Sequence, residues 1–105
     1  MTVEKKIYFA SDFHLGMPDF ERSLEREKSI VSWLNAISKD ASAVYLLGDV
    51  FDFWFEYKTV VPKGFVRFLG AISQLTDAGI PVYLFPGNHD LWVGKYLETE
   101  CGAIV

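Results

Sequence analysis

Cysteine is almost missing from this chain. Among 105 residues only Cys101 occurs, so an intramolecular disulfide framework is excluded and a reducing, cytoplasmic compartment is expected. Histidine is nearly as scarce, with His14 and His89 alone. No run of 18 apolar residues appears, so nothing reads as a bilayer-spanning helix. Behind Met1-Thr2-Val3-Glu4-Lys5-Lys6 the apolar run is cut short by Asp12 and His14, and no export signal is expected. A basic excess is lacking too. Ten Lys and Arg stand against fourteen Asp and Glu, a net charge of −4, which argues against a fold that works by wrapping a nucleic-acid backbone. Repeats, low-complexity tracts and flexible linkers are absent. What the chain does have is 50% hydrophobic and 16% aromatic residues, ample for one packed core.

Ile7-Tyr8-Phe9-Ala10, Ala43-Val44-Tyr45-Leu46-Leu47 and Val82-Tyr83-Leu84-Phe85 are short apolar runs without alternation. Such runs suit strands buried on both faces. Between the first two, Leu24, Ile30, Val31, Leu34 and Ile37 recur at helical spacing within Arg22 to Ser38, while Glu25, Arg26, Glu27 and Lys28 form the polar side. Between the second and third, Phe65, Phe68, Leu69, Ile72 and Leu75 keep the same period until Gly79 and Pro81 stop it. The order βαβαβ predicts parallel strands and an α/β layered fold. Glu56 to Gly64 reads as an irregular excursion, and Ala103-Ile104-Val105 as the start of a further strand. Three strands are few for a doubly covered sheet, so residues 1–105 read as an incomplete, amino-terminal part of one domain.

Each strand is followed at once by a polar cluster: Asp12-Phe13-His14, Gly48-Asp49-Val50-Phe51-Asp52, and Gly87-Asn88-His89-Asp90. The carboxyl ends of parallel strands share one edge, where open α/β folds bind ligands. Singly, each cluster fits a helix cap or a tight turn in which Gly and Asn accept positive φ. Together, in this order, they point to convergence. Carboxylates, imidazole and an amide oxygen suit Mn²⁺, Fe or Zn²⁺. Gathered acids repel one another unless cations neutralise them, and a central Asp49 could bridge two ions about 3.5–4 Å apart, a spacing that clamps phosphoryl oxygens.

These three blocks resemble the first signature blocks of the calcineurin-like metallophosphoesterases over nearly the whole chain. Ser11-Asp12-Phe13-His14-Leu15-Gly16 and Gly48-Asp49-Val50-Phe51-Asp52-Phe53-Trp54 are, within that family, similar to the UDP-2,3-diacylglucosamine hydrolases of lipid A synthesis, most of all their Bacteroidetes-type members. The resemblance implies a sheet sandwich with flanking helices, of which this chain is the first half. It implies two divalent ions, Mn²⁺ favoured with Zn²⁺ or Fe as alternatives. Asp12 and His14 would ligate the first, Asp49 would bridge both, and Asn88 would hold the second. A water between the ions would attack phosphorus in line. His89 would contact the phosphoryl oxygen or leaving group, with Asp52 accepting a hydrogen bond from its ring and favouring the imidazolium.

Two departures qualify this. The better-known lipid A hydrolases carry Arg where this chain has His89, which follows the general phosphoesterase pattern. The family also completes its metal shell with downstream histidines ending in Gly-His-x-His, and none follow His89 here. The chain by itself is therefore expected to bind metal weakly, to be inactive, and to self-associate through strand faces built for a partner.

Phe51, Phe53, Trp54, Phe55 and Tyr57 cluster beside the second block. They read either as core or as an acyl-chain groove continuing through Val60, Val61 and Phe65. In the second reading Trp54, Phe55 and Arg67 contact substrate, and Lys58, Lys63 and Arg67 meet an anionic headgroup or the inner membrane surface; otherwise these cations form a solvated face. The resemblance thus implies cleavage of a nucleotide-linked lipid, UDP-2,3-diacylglucosamine, to UMP and 2,3-diacylglucosamine 1-phosphate. The rivals are a general phosphodiesterase or nucleotidase, and a non-catalytic interaction protein on the same fold.

Overall fold

A computed structural model describes residues 4–105 of the chain. Strand β1 (Lys6–Ala10) leads into helix α1 (Phe20–Ile37), strand β2 (Ala41–Leu46), helix α2 (Val66–Asp77), strand β3 (Val82–Leu84) and helix α3 (Lys95–Cys101). The strands form one parallel sheet in the order β1-β2-β3, with Tyr8 opposite Val44 and Tyr45 opposite Tyr83. The α/β architecture and all three expected strands are present.

Helix α1 starts two residues before the apolar period suggests, because the Asp19 side chain accepts the Arg22 N–H at 2.9 Å and caps the first turn. Its buried stripe is Ser23, Glu27, Ile30, Leu34 and Ile37, spaced by three and four residues. Glu27 looks misplaced in that stripe. Its Oε2 accepts the Phe68 N–H at 3.0 Å, so the carboxylate serves the first turn of α2, which has no capping side chain of its own. Helix α2 answers with Phe68, Ala71, Ile72 and Leu75.

A sheet that grows in one direction through right-handed crossovers puts both helices on the same face. Val44, Leu46, Val82 and Leu84 are buried under that layer. The opposite face is open, so the strands, apolar on both sides, are covered on one side only within these residues, as expected of strand faces built for a partner. Phe9 and Phe85 are 60% and 51% exposed there, and Phe9, Tyr45 and Tyr83 stack across the three strands with ring centroids 5.1 and 4.7 Å apart.

Two details lie outside the sequence reading. Helix α3 was not expected. It is tied to the excursion after β2 by Glu56, whose carboxylate accepts N–H groups from Gly94 at 3.0 Å and Tyr96 at 3.2 Å. Beyond it Ile104 bridges to Tyr83 in parallel, so the expected further strand is present as a single bridge. No helix among the described residues is long and apolar enough to cross a membrane.

Candidate metal centre

The loops after β1 and β2 do not diverge when the strands end. Asp12 N–H donates to Gly48 O (3.1 Å), His14 N–H to Asp49 O (3.0 Å) and Leu15 N–H to Val50 O (2.9 Å), and Asp52 N–H returns to Leu15 O (2.9 Å). The parallel ladder thus continues through the polar clusters. It does so with Asp12, His14 and Asp49 at φ of 60°, 46° and 52°. Left-handed backbone at non-glycine residues costs about 1–3 kcal/mol each and concentrates at functional sites. Here it falls on three of the four residues expected to ligate metal.

The third loop joins through close backbone approach. A Cβ on Gly48 would stand 3.2 Å from the Gly87 Cα, and one on Gly87 would clash with Asp49 Oδ1 and lie 2.6 Å from its N. Gly48 also has φ +102°. Gly87 is therefore required by contact rather than by a left-handed turn. Next to it, Asp90 is wholly buried. Its Oδ1 accepts N–H groups from Gly87 (2.7 Å) and Asp49 (3.2 Å), and its Oδ2 from Val50 (2.8 Å) and Phe51 (3.2 Å). The sequence reading gave Asp90 no role.

The side chains meet at this rim. Donor atoms of Asp12, His14 and Asp49 lie within 4.8 Å of one another, as do those of His14, Asp52 and His89. His14 belongs to both sets: Nε2 stands 3.6 Å from Asp12 Oδ1, and Nδ1 stands 3.6 Å from Asp52 Oδ1. A metal-binding imidazole ordinarily directs its second nitrogen at a carboxylate in this way. His89 crosses His14 edge to face at 4.9 Å, and its Nδ1 is 3.3 Å from the same Asp52 oxygen. That oxygen is buried and makes no hydrogen bond, so the expected Asp52–His89 contact is close but not formed. The His89 N–H donates to Asp49 Oδ1 at 2.8 Å. Asn88 is exposed on the same loop, and its amide makes no hydrogen bond among the described residues. An oxygen-rich set with one imidazole and an orphaned carboxylate oxygen behind it fits a hard or borderline divalent cation.

The comparison with known families agrees with this geometry. The family model described as calcineurin-like phosphoesterase matches residues 5–103. The chain belongs to the calcineurin-like phosphoesterase family. It is 47% identical over 103 residues to a UDP-2,3-diacylglucosamine hydrolase of Porphyromonas gingivalis, covering 98% of this chain and 39% of that protein. It is 34% identical over 97 residues to one of Actinobacillus succinogenes, covering 92% and 39%, and 32% over 101 residues to one of Histophilus somni, covering 93% and 40%. The chain spans about two fifths of the length of these relatives.

Against the calcineurin-like core, the residues expected at a substrate groove scatter. Trp54 is wholly buried, packed on Phe51 at 4.4 Å with its Nε1–H held by Glu56 Oε2 at 2.9 Å. It offers no surface to a substrate, and this corrects its placement in a groove. The reason is local: Trp54 and Phe51 share the inward side of the segment, whereas Phe53 and Phe55 point out. Phe55 is 46% exposed and meets Trp92, 63% exposed, at 6.3 Å. Trp92 lies two residues beyond Asp90 and was not singled out from the sequence. Arg67 is exposed on α2 beside Val31 and Asn35, in a shallow depression that none of the candidate metal ligands lines.

Proposed function

We propose that this chain forms part of a binuclear-metal phosphoesterase whose substrate is UDP-2,3-diacylglucosamine, cleaved at the pyrophosphate to UMP and 2,3-diacylglucosamine 1-phosphate. The observation that carries the reading is the meeting of Asp12, His14 and Asp49 at the ends of β1 and β2. The 47% identity to a hydrolase of that name supports the substrate.

Asp12 and His14 would hold one ion, Asp49 would bridge to a second, and Asn88 would contribute its amide oxygen to the second. Two bound divalent ions supply neutralising charge for the phosphoryl oxygens and acidify a water. His89, half-exposed at the rim, meets the phosphoryl oxygen or the leaving group. A departing nucleotide needs little protonation, so His89 serves by contact with the phosphoryl oxygens rather than as an obligatory proton donor, with the Asp52 carboxylate 3.3 Å from its Nδ1. Mn²⁺ is the favoured ion, with Zn²⁺ or Fe as alternatives. A nucleotide-linked lipid places the reaction at the cytoplasmic face of the inner membrane. The exposed pair Phe55 and Trp92, with Leu91, offers apolar surface close to the third loop.

The 105 residues supply four ligands, too few for two complete shells, so the chain alone binds metal weakly and is inactive. Calorimetric titration with Mn²⁺ should therefore give one weak site, abolished by Asp49→Ala. Two tight sites, or release of UMP from UDP-2,3-diacylglucosamine by this chain, would show that its own residues suffice. Turnover of simple phosphodiesters without the lipid would favour the general phosphodiesterase reading.

A further inference from the structure

Arg26 stands in the second turn of α1, well away in sequence from every polar cluster. Its guanidinium reaches the loop after β1, where Nη1 donates to the carbonyl oxygens of Phe13 (3.3 Å), His14 (3.1 Å) and Met17 (2.8 Å). Three carbonyl dipoles converge on one cationic nitrogen. Without a cation they would repel one another, and the loop would open. One turn earlier on the same helix, the buried Ser23 Oγ accepts the Gly16 N–H at 2.7 Å.

The loop is thus held along two edges. Its N–H edge is laced to the β2 loop through Asp12, His14 and Leu15. Its carbonyl edge is gathered by Arg26. Between these edges Asp12 and His14 sit at positive φ, which neither residue type prefers, and Met17 N–H turns back on His14 O at 3.2 Å. Relaxing either residue to an ordinary negative φ would rotate its side chain away from Asp49.

We propose that Arg26 is a positioning residue: by clamping the Phe13, His14 and Met17 carbonyls it keeps Asp12 and His14 in the geometry that takes a divalent cation. The metal part of this inference rests on the reading above, whereas the loop part does not. The three oxygens share the two N–H groups of Nη1 at the far end of a long side chain, a reach that the shorter lysine stem matches only in part although its ammonium carries three donors.

The test compares Arg26→Met, Arg26→Lys and a control, Ile30→Ala, which opens a cavity on the buried side of the same helix. Backbone amide exchange is read first without metal. In Arg26→Met the His14, Leu15 and Gly16 amides should exchange on the order of tenfold faster while those of Val44 and Leu84 keep their protection. Mn²⁺ affinity should then fall roughly 10- to 100-fold, the usual range for a lost supporting contact behind a metal site. Arg26→Lys should recover part of both effects. Ile30→Ala should lower the melting temperature and change neither. Unchanged exchange in the loop of Arg26→Met overturns the clamp. A loosened loop with wild-type Mn²⁺ affinity overturns its link to the metal. A wild-type chain that binds no Mn²⁺ at all refutes the metal reading, and the exchange result still decides the clamp.

Discussion

Asp90 and Trp54 show how much a single side chain carries here. Asp90 is buried among backbone N–H groups from two loops and fixes the separation of Asp49 from Gly87. An asparagine there keeps the size but presents an NH₂ group to two of the four donors. Asp90→Asn should destabilise the fold by about 2–6 kcal/mol, the sum of two buried donors left unpaired at about 1–3 kcal/mol each. Urea unfolding checks the loss, and Mn²⁺ binding should weaken in parallel. Full metal affinity in a folded Asp90→Asn protein would refute the linkage. For Trp54, removal of a fully buried ring predicts a stability loss of about 3–5 kcal/mol, whereas Phe55→Ala on the surface should stay within about 0.5 kcal/mol. Equal unfolding midpoints for the two would contradict the packing. The meeting of Asp12, His14 and Asp49 at one rim was legible from sequence, because hydrophilic residues directly after parallel strands share one edge of the sheet. Asp90 and Arg26 were not. What they bind is backbone, which has no sequence signature, and the helical period assigns Arg26 only to a polar side. Five near-consecutive aromatics likewise do not say which of them turns inward.

At the scale of elements, local periodicity located β1, α1, β2, α2 and β3, since each owes its existence to an apolar stripe. Helix α3 escaped because its seven residues are held from a distance by Glu56 rather than by a strong period of their own. A second distant contact ties β1 to the turn before β2: Tyr8 Oη–H donates to Asp40 Oδ1 at 2.7 Å. That hydrogen bond, with help from Lys6, holds the Asp40 carboxyl below its ordinary 3.8. The same bond, then burial and the Asp40 charge, raises the Tyr8 hydroxyl above 10.0. The lowered carboxyl contributes stability above its unfolded value and loses it as pH falls through the folded value. The raised hydroxyl contributes below its unfolded value and loses it as pH rises through the folded value. Tyr8→Phe should accordingly be less stable than wild type near pH 7 and converge with it as pH falls well below 3.8 or rises well above 10.0. Urea midpoints at these pH values measure the difference, and a gap that stays constant across them would exclude the bond as its source.

Across the whole molecule the decisive feature is a sheet with helices on one side only. The sequence pattern said the strands were apolar on both faces, and it was right about composition; what it did not carry was which face a same-sided pair of crossovers leaves open. On that face Ile7, Phe9, Leu47 and Phe85 are about half exposed or more, with Tyr45 stacked between Phe9 and Tyr83. A contiguous aromatic surface in water favours association with any like surface, including a second copy. The chain should therefore sediment above 11.9 kDa, with a weight-average mass that rises with concentration. Phe9→Lys combined with Phe85→Lys places two charges where more than half of each ring is already in water, so the helix-side core is untouched. This double variant should run as a monomer over the same range with unchanged far-ultraviolet circular dichroism. A wild-type chain that stays monomeric at the highest concentrations, or a double variant that associates as strongly as wild type, would remove the open sheet face as the cause.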